Sequence, residues 1–169
     1  MRTIGIDPGK YGGIVLLDPE KSLVRAFNVP ITPEKHKTVT KDVVDAAAFK
    51  RILVETDAAH ANVFLEDVFS MPSDGHVGAF SFGMNKGALL AVLALHQCSV
   101  TFVAPSKWKG DLGCTADKSQ TRRVCQRLFP FAKKELSNEG KREAALIALW
   151  GLLSTPGYVP TAPLRFTGS

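Results

Sequence analysis

Four carboxylates are spaced to do chemistry together: Asp7, Glu66, Glu139 and Glu143. Asp7 closes the apolar run Thr3-Ile4-Gly5-Ile6 and is followed by Pro8-Gly9. It therefore stands at the carboxyl end of a strand beside a turn, where open α/β sheets carry their chemistry. Glu66 ends a second run, Asn62-Val63-Phe64-Leu65, in the same way. Glu139 and Glu143 are four apart, so they lie one turn apart on one helix face. Carboxylates gathered at one sheet edge repel one another unless a cation neutralises them, and hard oxygen donors select Mg²⁺ or Mn²⁺ over zinc. Two such ions about 3.5–4 Å apart can activate a water and stabilise the leaving oxygen of a phosphodiester. That chemistry needs acids and no nucleophilic Ser or Cys.

Each acid alone has an ordinary explanation. Asp7 before Pro-Gly suits an Asx turn. Glu66 and Asp67 can be solvated at a strand end, and Glu139 in a first helical turn favours the helix dipole whether or not it does chemistry. Glu143 is harder to explain this way, because Ala144-Ala145-Leu146-Ile147-Ala148-Leu149 follows directly and a carboxylate opening a buried helix needs a partner. Taken together, the four favour a metal site.

The elements that must position them follow from periodicity. Residues 2–7, 14–18 and 23–29 read as an antiparallel meander of three strands. Glu34 to Lys41 is polar and basic and reads as a mobile loop, and from Asp42 through Val54 the pattern is helical. The strand ending at Glu66 is reached through that crossover helix, so it runs parallel to a neighbour and brings its carboxyl end to the edge that holds Asp7. Met71 to His76 reads as a loop, Ala79 to Leu95 as a helix rich in Gly and Ala, and Ser99 to Val103 as a fifth strand. Pro105 to Gly110 is a basic, aromatic loop around Trp108. Helices follow over 117–128 and 139–152, the second apolar on nearly all sides after an Asn138 cap. The expectation is an RNase H-like fold over residues 1–155, a mixed five-stranded sheet flanked by helices, with a loosely attached proline-containing tail over 156–169.

A chain of 169 residues, 45% hydrophobic, supports one core. The net charge of +5 and a pI of about 9.2 favour an acidic partner, with nucleic acid ahead of a membrane. No apolar run is read as approaching the ~20 residues of a membrane span. Cys98, Cys114 and Cys125 have no close pairing and read as thiols of a reducing compartment. His36, His60, His76 and His96 lack ligand spacing; only His76 is an auxiliary candidate. With the chain opening on a core strand, the expectation is a cytoplasmic protein without a targeting segment.

Ile4-Gly5-Ile6-Asp7-Pro8-Gly9, Glu66-Asp67-Val68-Phe69, Ala116-Asp117-Lys118-Ser119-Gln120 and Glu139-Gly140-Lys141-Arg142-Glu143-Ala144-Ala145-Leu146 together resemble a RuvC-type Holliday junction resolvase, a crossover junction endodeoxyribonuclease, over residues 2–152. The resemblance implies that Asp7, Glu66, Glu139 and Glu143 hold two Mg²⁺ or Mn²⁺ ions and that a symmetric homodimer nicks four-way DNA junctions. The products would carry 5′-phosphate and 3′-hydroxyl ends, as recombination and repair require. It also implies base stacking by Phe69 and phosphate contacts by Lys107 and Lys118. Lys109, Arg122 and Arg123 are added from the basic loop and the basic helix face they occupy. The resemblance has two departures: the first acid of the last pair is Glu139 where the family has Asp, and the i, i+4 spacing is closer to phage-type resolvases, which would put the protein in a host cytoplasm.

Phe69 could equally pack in the core, and Trp108 could be a buried anchor with solvated lysines around it. The helix ending at Leu95 is the candidate dimer surface, its alternative an ordinary core helix. Competing functions are an RNase H-like nuclease acting on RNA, hybrids or other branched DNA, and a junction-binding protein that does not cut. An actin-like ATPase, suggested by Asp-Pro-Gly alone, fails on length.

Overall fold

The computed structural model describes residues 1–36, 39–70, 75–115, 117–159 and 166–168. Strands β1 (Thr3–Ile6), β2 (Gly13–Asp18) and β3 (Leu23–Asn28) form the expected antiparallel meander. A hairpin of β4 (Ile31–His36) and β5 (Val39–Val44) leads to helix α1 (Ala46–Glu55). β6 (Asn62–Glu66), α2 (Gly75–Leu95), β7 (Ser99–Val103), α3 (Pro105–Asp111), α4 (Lys118–Leu128), α5 (Glu139–Ser154) and the two-residue β8 (Thr167–Gly168) complete the chain. The order across the sheet is β7-β6-β1-β2-β3-β8, with β6 and β7 parallel to β1. The expected mixed five-stranded sheet is therefore present, and β8 extends it at the β3 edge.

Alternation along β1 puts Ile4 and Ile6 into one core with Phe49 and Leu53 of α1 and Leu89 and Leu93 of α2. Thr3 and Gly5 face α5 instead, and the Thr3 hydroxyl donates to the Ala148 carbonyl at 3.1 Å. Helix and sheet are nearly in backbone contact here: a Cβ on Gly5 would lie 2.0 Å from the Ala144 carbonyl oxygen. Only glycine permits that approach. The same closeness recurs where Gly12 bridges Gly140, so Tyr11-Gly12-Gly13 is the surface on which α5 begins.

Several sequence expectations change. The stretch 34–41 is not a mobile loop; its described residues are paired in the β4–β5 hairpin, and residues 37 and 38 lie outside the described set. Val43 and Val44 belong to β5, and α1 starts only after Asp45, whose carboxylate accepts from the Ala48 N–H at 2.8 Å. β-branched residues and an N-cap outweigh the helical periodicity. Pro105 opens α3 as an N-terminal helical residue where a loop was expected. The chain's end is also tied down: Phe166 is 1% exposed and packs on Phe129, and β8 pairs with Leu23–Val24. Of the loop expected over 71–76, residues 71–74 lie outside the described set while Gly75 and His76 already belong to α2. Pro160 and Pro163, like Ala116, also lie outside it.

Helix α2 also corrects the expectation about apolar runs, because an 18-residue stretch of its 21 residues has a mean hydropathy of 1.4, which makes the helix long and apolar enough to cross a membrane. Its polar side chains nonetheless tie it to the domain. Asn85 accepts from the Val44 N–H and donates to the Asp42 carbonyl.

Candidate active site: a carboxylate cluster at the sheet edge

The parallel register Ile6↔Leu65 sets the next residues, Asp7 and Glu66, side by side at the carboxyl ends of β1 and β6. Asp7 is held by the turn that follows it: its N–H donates to the Gly13 carbonyl at 3.0 Å, and its Oδ1 accepts from the Gly9 N–H at 3.0 Å. Burial pushes its carboxyl up to about 6 against that hydrogen bond, and the charges of Glu143 and Glu139 add to the rise. Glu66 is 4% exposed, and its Oε1 accepts from the Trp108 indole N–H at 2.9 Å. Burial first, then the charges of Asp7 and Glu143, push it up to about 7. Both acids thus resist ionising together.

α5 supplies the other two. Its N-cap Asn138 accepts from the Lys141 N–H, and the Gly140 contact fixes how closely its first turns approach Asp7. Glu143 is 15% exposed and pairs with Lys109 Nζ at 3.2 Å. Glu139, at the rim, pairs with Lys118 Nζ at 2.9 Å. Beside Glu139 a cavity of about 730 Å³ opens between Lys10, Tyr11, Asn28, Asp42 and Asn138.

The structure therefore brings Asp7, Glu66 and Glu143 together, with Glu139 at their margin. Among the described residues no three His, Cys, Asp or Glu side chains form a ready-made metal-binding group. Two of the four carboxylates are turned to lysines, whose ammonium groups supply positive charge at this edge. The donor chemistry still fits a divalent cation: hard oxygens, two of them buried and mutually repelling, gain most from a concentrated positive charge.

The basic and aromatic candidates divide. Lys109 reaches the acids, whereas Lys107 is exposed and pairs within its own helix with Asp111 at 3.0 Å. Lys118, Arg122, Arg123 and Arg127 all lie exposed on α4, as their spacing predicts. Phe69 is 74% exposed, which removes it from the core. Trp108 is fully buried, as an anchor would be, and it also orients Glu66. The sequence signal for that second role is its indole N–H, a donor that needs a partner when buried. Lys86, unremarked in the sequence, donates to the Val68 carbonyl at 2.8 Å and lies against Phe69. Its signal is that it is the one Lys, Arg, Asp or Glu in α2. His76 is exposed at the start of α2, and His60 pairs with Asp57.

Comparison with solved structures bears on the fold. The chain superposes on T. thermophilus RuvC in complex with a Holliday junction substrate with a TM-score of 0.54, covering 89% of this chain and 92% of that one at 17% identity. This chain has the RuvC fold. A second Thermus thermophilus RuvC structure gives a TM-score of 0.51 at the same identity and coverage. No protein-family model matches the chain, and no curated protein matches it. The RNase H-like architecture expected from the order of elements is thus the architecture of RuvC.

Proposed function

We propose that this chain is a divalent-metal-dependent endonuclease that resolves four-way DNA junctions as a homodimer, one acidic edge per protomer. The observation that carries the reading is the gathering of Asp7, Glu66 and Glu143 at one edge of a RuvC fold, with two of the acids pushed up to about 6 and 7. Asp7, Glu66 and Glu143, with Glu139 at the rim, would hold Mg²⁺ or Mn²⁺, two ions per site. When bound, such ions activate the attacking water and stabilise the leaving oxygen of an in-line phosphodiester cleavage.

The chain's own residues orient the acids and the substrate. The Gly9 N–H and the Trp108 indole N–H each fix one carboxylate oxygen, of Asp7 and Glu66 respectively. Lys109 and Lys118 carry ammonium groups at the acidic edge that suit contact with the scissile phosphate. The exposed arginines of α4 suit sequence-independent contact with flanking phosphates. Phe69, exposed beside Glu66, suits stacking on a base freed at the junction centre.

Resolution needs two cuts, hence two sites. Val77, Phe80, Met84 and Leu95 of α2 are 73%, 60%, 49% and 86% exposed, and with Gly87 and Ala91 they lie at three- and four-residue intervals. A second helix of the same kind packs on such a seam, which favours a second copy of this chain as its occupant.

The test is a substrate comparison in Mg²⁺ and in Mn²⁺: a labelled four-way junction, a linear duplex of the same sequence and an RNA/DNA hybrid. Paired symmetric nicks in the junction alone, sealed directly by ligase, are expected. Preferential cutting of the hybrid would move the protein to another nuclease activity, and tight junction binding without cutting would make it a binding protein.

A further inference from the structure

A half-buried ammonium is costly unless it finds partners, and Lys86 is the one Lys, Arg, Asp or Glu of α2. Lys86 is only 13% exposed, and its Nζ donates to the Val68 carbonyl at 2.8 Å and to Asp67 Oδ1 at 3.2 Å. The same ammonium lies 4.6 Å from the centroid of the Phe69 ring and 5.9 Å from that of Phe102. Asp67 is anchored on its other side, where its N–H donates to the Val103 carbonyl at 2.8 Å. Residues 67–69 are therefore clamped between β7 and α2 directly after the catalytic candidate Glu66.

This clamp accounts for an otherwise unfavourable feature. Phe69 is 74% exposed and Phe102 50%, although the apolar flank of α2 is close by and a free phenyl ring gains by lying down on such a surface. An ammonium fixed by two oxygen acceptors attracts the faces of both rings and holds the Phe69 ring where the clamp sets it. Capping the Val68 carbonyl alone would need neither ring.

We infer that Lys86 is a positioning residue: pinned by Val68 and Asp67 and flanked by Phe102, it holds Phe69 out as a rigid aromatic post for an unpaired nucleobase. The inference rests on the junction-cutting reading for its ligand, though not for the mechanics of the post. A preorganised ring loses less conformational freedom when it stacks, so the gain appears as affinity for branched DNA over linear duplex, which offers no free base.

The experiment places an indole at the post, Phe69→Trp, and compares Lys86, Lys86→Met and Lys86→Arg in that background, subtracting the emission of the matching proteins that retain Phe69. Acrylamide quenching and anisotropy of the introduced indole report how firmly the ring is held. Junction and duplex affinities are measured in parallel with Asp7→Asn, so that nothing is cut. Lys86→Met is expected to loosen the indole signal and to weaken junction binding three- to tenfold with duplex binding unchanged; Lys86→Arg should restore both. An unchanged indole signal in Lys86→Met, or a loosened one with undiminished junction affinity, overturns the inference. Absence of junction preference in the protein with native Lys86 and Phe69 would overturn the resolvase reading instead, while the indole signal would still decide whether Lys86 fixes the ring.

Discussion

Asp7→Asn should abolish cutting and stabilise the fold, and the two effects separate by pH. In the folded chain Asp7 is raised from 3.8 to about 6 and Glu66 from 4.5 to about 7. A carboxyl with a raised value binds its proton more tightly folded than unfolded. Its stabilising contribution is therefore complete below the unfolded value and is lost as pH rises through the folded one. For Asp7 the loss between pH 4 and pH 8 is on the order of 3 kcal/mol, at about 1.4 kcal/mol per pH unit of displacement. Asn preserves an oxygen for the Gly9 N–H and carries no charge, so it removes this loss and one of the charges that raise Glu66. In EDTA, urea melts of Asp7→Asn and wild type should nearly coincide at pH 4 and differ by roughly 2–3 kcal/mol at pH 8, with the variant more stable. For a domain of this size that corresponds to about 4–12 °C in Tm. Mn²⁺ should close the gap by stabilising wild type alone. A variant no more stable than wild type at pH 8, or equally displaced at both pH values, would refute the claim that this edge holds charge under repulsion.

Trp108→Phe removes the donor that holds Glu66. Its loss should cost roughly 1–3 kcal/mol of stability, raise Glu66 above about 7 and move the acid limb of the pH–rate profile to higher pH, as read by cleavage rates from pH 6 to 9. Gly140→Ala puts a Cβ 2.2 Å from the Tyr11 carbonyl oxygen, backbone that cannot yield. It should cost roughly 1–3 kcal/mol or more in denaturant melts and reduce cleavage by shifting Glu139 and Glu143 away from Asp7. Val77→Asp with Met84→Glu, both at exposed positions, should leave the melting of the monomer within about 0.5 kcal/mol and yield monomers in sedimentation velocity.

Much of this fold was legible because its signals are local. The short apolar runs at residues 3–6 and 62–65 gave two strands ending in acid, and the crossover between them required a shared edge. The i, i+4 pair gave the helix face. What was not legible depends on tertiary partners. The β4–β5 hairpin is polar on both sides of its turn, and what holds it is tertiary: Asn85 of α2 bonds to Val44 and Asp42, and Lys10 pairs with Asp42. Gly140 is one glycine among 14 until the Gly12 backbone is seen against it. That Lys109 rather than Lys107 reaches Glu143 depends on α3 being a helix, which the Pro105 signal did not convey. The attachment of residues 166–168 depends on Phe166 packing on Phe129 and on Thr167–Gly168 pairing with β3, contacts far apart in sequence.

The measurement that tests the central claim most directly is cleavage of a labelled four-way junction by wild type, Asp7→Asn and Glu66→Gln in Mg²⁺ and in Mn²⁺, with junction binding measured alongside. The account predicts paired nicks by wild type that either substitution reduces by at least a thousandfold while binding persists. Nicking that survives both substitutions, or that proceeds undiminished in EDTA, would contradict it.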